Sequence, residues 1–266
     1  MKVSCITTCH QESRKSNSIC LTYLHNLLPV DMEIVNWSPA LVIYRNLLTP
    51  RQKDMFLEYI EKQELFKQQT SDFGKNRETT HRMANGSFID HGAANITVEV
   101  HLKLQKRIPA IDFHSAELFS ALSYLPGGHY SVHYDYLEYQ NKGQWDWWMN
   151  NMRNRIATLI FVLETAESGG GTVFPSIGTT IRINAGDAFL WFNAQADESQ
   201  EMLSNHGGCP IYSGRKVITT LWIRAKHQPI TATAPTDTPI SAKWLIPGFS
   251  SQFQNGIQMT SGEGVF

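Results

Sequence analysis

The chemistry-bearing residues of this chain gather in one short stretch, Gly127-Gly128-His129-Tyr130-Ser131-Val132-His133-Tyr134-Asp135. Side chains on a β-strand alternate between faces, so on an extended backbone His133 and Asp135 point one way and Tyr134 the other. An imidazole and a carboxylate so placed can fill neighbouring corners of one metal ion. A histidine from a distant strand would complete the set, and His206 is the candidate. Two histidines and one carboxylate suit non-haem Fe(II), because the open positions can take O2 and a chelating cosubstrate. The bare spacing decides little, since His10-Gln11-Glu12 repeats it. Context separates the two. His133 follows a Gly-Gly turn on an expected strand, His206 lies several strands later, and Lys216 adds a cation ten residues on.

Such residues need a scaffold that brings distant strands together. From Ser115 onward, short apolar runs alternate with Gly-rich turns: Leu118–Leu125, Tyr130–Tyr136, Ile156–Leu163, Thr172–Phe174, Thr179–Ile183, Ala188–Phe192 and Lys216–Ile223. Many short strands with turns between them predict a barrel or jelly roll. Ahead of them, a strand is expected at Leu41–Tyr44. Thr49-Pro50 marks a helix start, and Met55, Phe56, Tyr59 and Ile60 keep helical spacing over residues 50–68. Residues 70–82 are polar and loop-like, residues 93–108 predict a second helix, and a third could start near Pro109. The fold class expected is therefore α+β, a double-stranded β-helix (jelly-roll barrel) with N-terminal helices packed on one side. Residues 1–32 read as a poorly ordered lead-in. Gln228 to Thr238, rich in Thr, Ala and Pro, reads as an extended tail, with Trp244, Leu245 and Phe249 able to dock.

The 266 residues suffice for one core, and 42% hydrophobic with 18% charged residues is ordinary globular composition. A net charge of -1 gives no basic surplus for nucleic acid. No apolar stretch approaches the roughly 18–20 residues that span a bilayer. Four cysteines, Cys5, Cys9, Cys20 and Cys209, are too few and too uneven for a disulfide scaffold or a zinc finger. Sequons stand at Asn36, Asn85 and Asn95.

Taken in order, Tyr124-x-x-Gly127-Gly128-x-Tyr130-x-x-His133-x-Asp135, Arg155-Ile156-Ala157-Thr158, Gly169-Gly170-Gly171-Thr172-Val173-Phe174-Pro175, Gly186-Asp187-Ala188 with Trp191-Phe192-Asn193, His206-x-x-Cys209-Pro210 and Gly214-x-Lys216 leading to Trp222-Ile223 resemble one family. It is the Fe(II)/2-oxoglutarate-dependent prolyl 4-hydroxylases, in particular the catalytic domain of the collagen-type α subunit. The resemblance runs from about Ile34 to Gln228. It implies a domain over 33–229 and a C-terminal tail over 230–266. It implies His133, Asp135 and His206 as iron ligands and Lys216 as a catalytic residue pairing with the distal carboxylate of 2-oxoglutarate. A compact ammonium with three donors suits a narrow barrel, although a lone Lys216 could equally be a solvated strand-end residue. Tyr124 and Thr158 match positions whose hydroxyls help hold the same cosubstrate, or else pack the barrel. Tyr130 and Trp222 match positions near the substrate groove, where core packing is the competing role. The insert Trp145-Asp146-Trp147-Trp148-Met149 could line that groove through Trp147 and Trp148, or pack beneath its loop.

The activity so implied is hydroxylation of peptidyl proline at C4 in a proline-rich or collagen-like chain, with release of succinate and CO2 and with L-ascorbate keeping the iron reduced. A non-catalytic module binding proline-rich peptides, or a dioxygenase acting on another residue, are the competing functions. The family implies the endoplasmic reticulum lumen and a disulfide-isomerase subunit. Against these, no signal peptide is evident, which makes the cytoplasm the alternative, and no cysteine follows Cys209 to pair with it.

Overall fold

The computed structural model describes residues 19–248 except 69, 73–74 and 78–80, and omits the side chains of 69–80. The N-terminal half contributes β1 (Ile19–His25), β2 (Leu28–Asn36), β3 (Leu41–Arg45), α1 (Pro50–Glu61), β4 (Phe66–Lys67), β5 (Thr70–Asp72), β6 (Lys75–Arg77), β7 (Asn85–Ile89) and α2 (Asn95–Arg107). The barrel adds β8 (Phe119–Tyr124), β9 (Tyr130–His133), α3 (Trp147–Met152), β10 (Arg155–Glu164), β11 (Ser168–Gly169), β12 (Thr172–Phe174), β13 (Thr179–Ile181), β14 (Ala188–Phe192), β15 (His206–Gly208), β16 (Ile211–Ser213) and β17 (Lys216–Arg224), and α4 (Pro229–Thr233) follows.

Two sheets carry the architecture. A nine-stranded sheet runs β1-β2-β3-β14-β10-β17-β8-β7-β4, and a four-stranded sheet runs β13-β12-β15-β9. Phe174 and Ile181 of the small sheet share one buried cluster with Leu122, Ile160, Trp191 and Ile218 of the large one. The opposite face of the large sheet packs Leu159, Phe161, Leu221 and Ile223 against Phe56 and Ile60 of α1 and Val100 and Leu104 of α2. This is the expected jelly roll with helices on one side. Period-two alternation explains how β17 serves both faces. Ile218 belongs to the barrel cluster, while Val217, Leu221 and Ile223 belong to the helix-side core.

The helix signals worked locally. Thr49 Oγ1 accepts from the Gln52 N–H at 3.2 Å, and the Gln52 side chain accepts from the Thr49 N–H at 3.1 Å, a reciprocal cap. The helix ends at Glu61 rather than 68, and β4 follows it. The third helix expected near Pro109 is only a 3-10 turn at Phe113–Ser115, and residues 70–82 contain the β5–β6 hairpin.

The two ends of the described chain differ from expectation. The lead-in assigned to residues 1–32 is ordered from Ile19, where β1 and β2 form a hairpin on the edge of the large sheet. Val30, Met32 and Ile34 alternate into the core. Residues 1–18 lie outside the described residues. The tail expected over 230–266 is built into the body as far as Ile246. α4 interrupts it, Ile240, Ala242 and Leu245 are buried, and the Ala40 and Ala242 N–H groups donate to the Ile240 and Trp37 carbonyls at 2.8 Å. Phe249 lies outside the described residues. Cys209 is disulfide-bonded, and Cys20 is an exposed free thiol.

Candidate metal centre and adjoining groove

β9 and β15 are antiparallel, and their register sets His133 directly opposite His206. Strand pairing alone therefore brings together two residues 73 positions apart. β9 stops at His133, so Asp135 does not share the strand as expected but sits in the bend beyond it. It still reaches the same point. Its carboxylate lies 3.6 Å from His133 Nε2 and 3.5 Å from His206 Nε2, and the three donor atoms fall within 4.8 Å of one another.

Each histidine is oriented by its other nitrogen. His133 Nδ1 contacts the Ser131 carbonyl at 2.8 Å, and His206 Nδ1 contacts the Ser204 carbonyl at 2.9 Å. A carbonyl only accepts, so Nδ1 carries the proton and both Nε2 lone pairs face the carboxylate, as ligation requires. Burial pushes the His206 pKa down to about 4, opposed by Asp135. Burial would raise the Asp135 carboxyl, but His206, His133 and Arg155 drive it well below the usual carboxylate range. The His133 and His206 Nε2 atoms and an ionised Asp135 carboxylate converge on one point, a donor set that fits a divalent metal.

A narrow cavity of about 40 Å³ runs from this triad into the barrel, bounded by Tyr124, Ile160, Thr172, Lys216, Ile218, Thr220 and Trp222. Lys216 lines it, opposite Tyr124 in the β17–β8 register. Its ammonium donates to the Gly170 carbonyl at 2.6 Å. Burial, with Arg182 nearby, lowers its pKa to about 8. The Tyr124 hydroxyl hydrogen-bonds with Arg82, while burial raises its pKa. A lysine and a tyrosine closing an apolar slot can hold a small carboxylate.

Thr158 was expected to help hold the cosubstrate or to pack the barrel. It does not line the cavity. Its hydroxyl donates to Asp135 Oδ2 at 2.8 Å.

On the other side the triad opens into a groove of about 820 Å³, walled by Phe66, Phe88, Tyr130, Tyr134, Tyr139, Trp148, Arg155, Trp222 and Arg224 among others. Tyr130 stacks on the His133 ring at 3.7 Å. Trp222 lies under the Arg155 guanidinium at 3.9 Å. Of the tryptophan pair, only Trp148 reaches the groove, where it meets Arg224 at 5.4 Å. Trp147 is 63% exposed and packs edge-on against Trp148 from outside.

Residues that carried no role in the sequence reading supply the groove's charge. Glu117 takes two hydrogen bonds from Arg155, at 2.7 and 2.8 Å, and lies 2.7 Å from Arg224 Nε. Arg155 stood inside a recognisable motif. Glu117 and Arg224 had no pattern to mark them, because only the fold brings them within reach.

Residues 119–224 match the model of the 2OG-Fe(II) oxygenase superfamily. That stretch is the oxygenase-like domain of this chain. Around the domain, the chain is 26% identical over 220 residues to prolyl 4-hydroxylase subunit alpha-2 of Caenorhabditis elegans, covering 82% of this chain and 40% of that one. It is 29% identical over 217 residues to prolyl 4-hydroxylase 5 of Arabidopsis thaliana, covering 72% of this chain and 70% of that one. The oxygenase fold is also that of the viral collagen prolyl hydroxylase of Paramecium bursaria chlorella virus-1 in its 2OG complex. The TM-score there is 0.55 at 22% identity, over 70% of this chain and 96% of that one.

Proposed function

We propose that the chain is an Fe(II)- and 2-oxoglutarate-dependent dioxygenase that hydroxylates peptidyl proline at C4. The observation that carries this is a triad that adjoins two unlike spaces, a slot lined by Lys216 and an aromatic groove. His133, Asp135 and His206 would hold the iron, which when bound supplies O2 activation coupled to decarboxylation of 2-oxoglutarate. The chain does the rest. Lys216 binds the distal carboxylate of the cosubstrate, with Tyr124 beside it. Ile160, Ile218 and Trp222 keep water from the reacting atoms. The groove takes a substrate too long for the slot. An extended proline-rich peptide fits aromatic walls of this kind, and the similar C. elegans, Arabidopsis and viral proteins are named for prolyl hydroxylation. L-ascorbate is the reductant this reading assigns, and the endoplasmic reticulum lumen its compartment. Asn85 and Asn95 are both exposed, so a glycan on either would support that location.

The test is turnover of the purified chain with Fe(II), 2-oxoglutarate and (Pro-Pro-Gly)n peptides. Succinate and 4-hydroxyproline in equal amounts are expected. Succinate without hydroxyproline would redirect the activity to another residue. With no metal bound and no succinate from any peptide, a non-catalytic peptide-binding module would remain.

Two further results are expected. The protonated form of Lys216 pairs with a carboxylate, so 2-oxoglutarate affinity should hold below pH 8. Above it, affinity should fall by about tenfold per pH unit as the ammonium of the free protein is lost. Calorimetric titration of the cobalt-loaded protein between pH 6.5 and 9.5 reads this directly, and a flat profile excludes Lys216 as the anchor. Separately, Trp148→Ala should raise the peptide KM several-fold, whereas Trp147→Ala should leave it within about twofold, because only Trp148 faces the groove. Equal effects from the two would remove the distinction.

A further inference from the structure

The Asp135 carboxylate does not stand alone. Its Oδ2 accepts from the Thr158 hydroxyl at 2.8 Å, and Thr158 Oγ1 in turn accepts from Asn193 Nδ2 at 2.8 Å. Thr158 and Asn193 are fully buried, and Asp135 is 5% exposed. The amide dictates the direction of this chain. An NH2 group can only donate, so the Thr158 oxygen must accept from it, and the single hydroxyl proton is turned onto Asp135. Reversing the amide would leave the hydroxyl facing two acceptors with one proton.

Asn193 is itself held rigidly. It follows directly on β14, its N–H donates to the Ile156 carbonyl at 2.7 Å, and its carbonyl accepts from the Glu201 N–H at 2.9 Å. Glu201 then leads to the second ligand. Its carbonyl accepts from the Ser204 N–H at 3.1 Å and from the Ser204 hydroxyl at 2.7 Å, and the Ser204 carbonyl faces His206 Nδ1. One residue thus reaches Asp135 through its side chain and His206 through its backbone.

We propose that Thr158 and Asn193 are positioning residues that fix the carboxylate of the metal site, with the Asn193 side chain acting only through the Thr158 hydroxyl. This rests on the reading of His133, Asp135 and His206 as metal ligands. Partners that orient a ligand in this way typically change metal affinity by about 10- to 100-fold when removed.

The test is Co(II) titration of the chelator-stripped full chain, followed by calorimetry and by the visible absorption of bound cobalt, with no turnover involved. Thr158→Val keeps the shape and loses the hydroxyl, and should weaken Co(II) binding by 10- to 100-fold. Thr158→Ser keeps the hydroxyl and loses the methyl, and should stay within about threefold of the parent. Asn193→Ala should weaken binding in the same direction. The double variant Thr158→Val/Asn193→Ala should bind no more weakly than Thr158→Val alone, because both changes act on one path. Wild-type affinity in Thr158→Val, or a loss in Thr158→Ser with none in Thr158→Val, would overturn the proposal, as it would then be a packing effect. If Thr158→Val shows no cooperative melt, Asn193→Ala decides, and unchanged affinity there overturns it. A parent chain that binds no Co(II) would overturn the metal-site reading as well. Tight parent binding with unaffected variants would overturn the positioning role alone.

Discussion

Replacing His133 with alanine should abolish metal binding and turnover together while leaving the chain folded. The imidazole is one of three donors, and the remaining pair, Asp135 and His206, cannot enclose a face of the ion. The loss should exceed the roughly 10–100-fold that changes in surrounding hydrogen bonds cost. The fold should survive because His133 is not core. Its side chain is 20% exposed and rests on Tyr130 at the strand end. Co(II) titration alongside a thermal melt separates the two effects. A variant that still binds within tenfold of the parent would remove His133 from the site.

The largest stability effect is expected at Glu117. Its carboxylate is the shared partner of Arg155 and Arg224, whose side chains are only 16% and 2% exposed. Glu117→Ala would leave two buried guanidiniums facing each other without the carboxylate that pairs with both. Breaking a buried pair from one side costs about 3–5 kcal/mol, which for a chain of this size corresponds to a melting temperature lower by roughly 10 °C. The groove should suffer too, because Glu117 holds Arg155 over Trp222. The peptide KM of the residual folded enzyme should rise more than its kcat falls. A melting temperature within about 2 °C of the parent would show that the arginines find other partners.

The cluster of His133, Asp135 and His206 was legible from residue type and spacing. The bend after His133 was not, and Asp135 reaches the site by a route that period two does not describe. The contact of Thr158 with Asp135 was not legible, because sequence places Thr158 on an inward face without saying which inward atom it meets. Its cross-strand partners in β14 and β17 are Trp191 and Trp222, and Asp135 approaches from outside the sheet. The β1–β2 hairpin was missed for a local reason. Its turn puts Asn26 and Leu27 at φ 52° and 61°, a geometry that Asn-Gly normally announces. Leu27, 94% exposed, gives no such signal. Trp147 and Trp148 could not be told apart in sequence, because a single helical turn decides which of two neighbours faces the groove.

The two-sided duty of β17 also sets where this chain can change length. Inward it presents Lys216, Ile218, Thr220 and Trp222, and between them Val217, Leu221 and Ile223 seal the helical layer. One residue added midway would exchange these two sets from that point on, putting leucine where tryptophan faces the groove and tryptophan against the helices. Drift by insertion is therefore closed to β17. It stays open in the exposed stretch from 140 to 144 between Asp135 and α3, where loop length can vary and with it the shape of the groove.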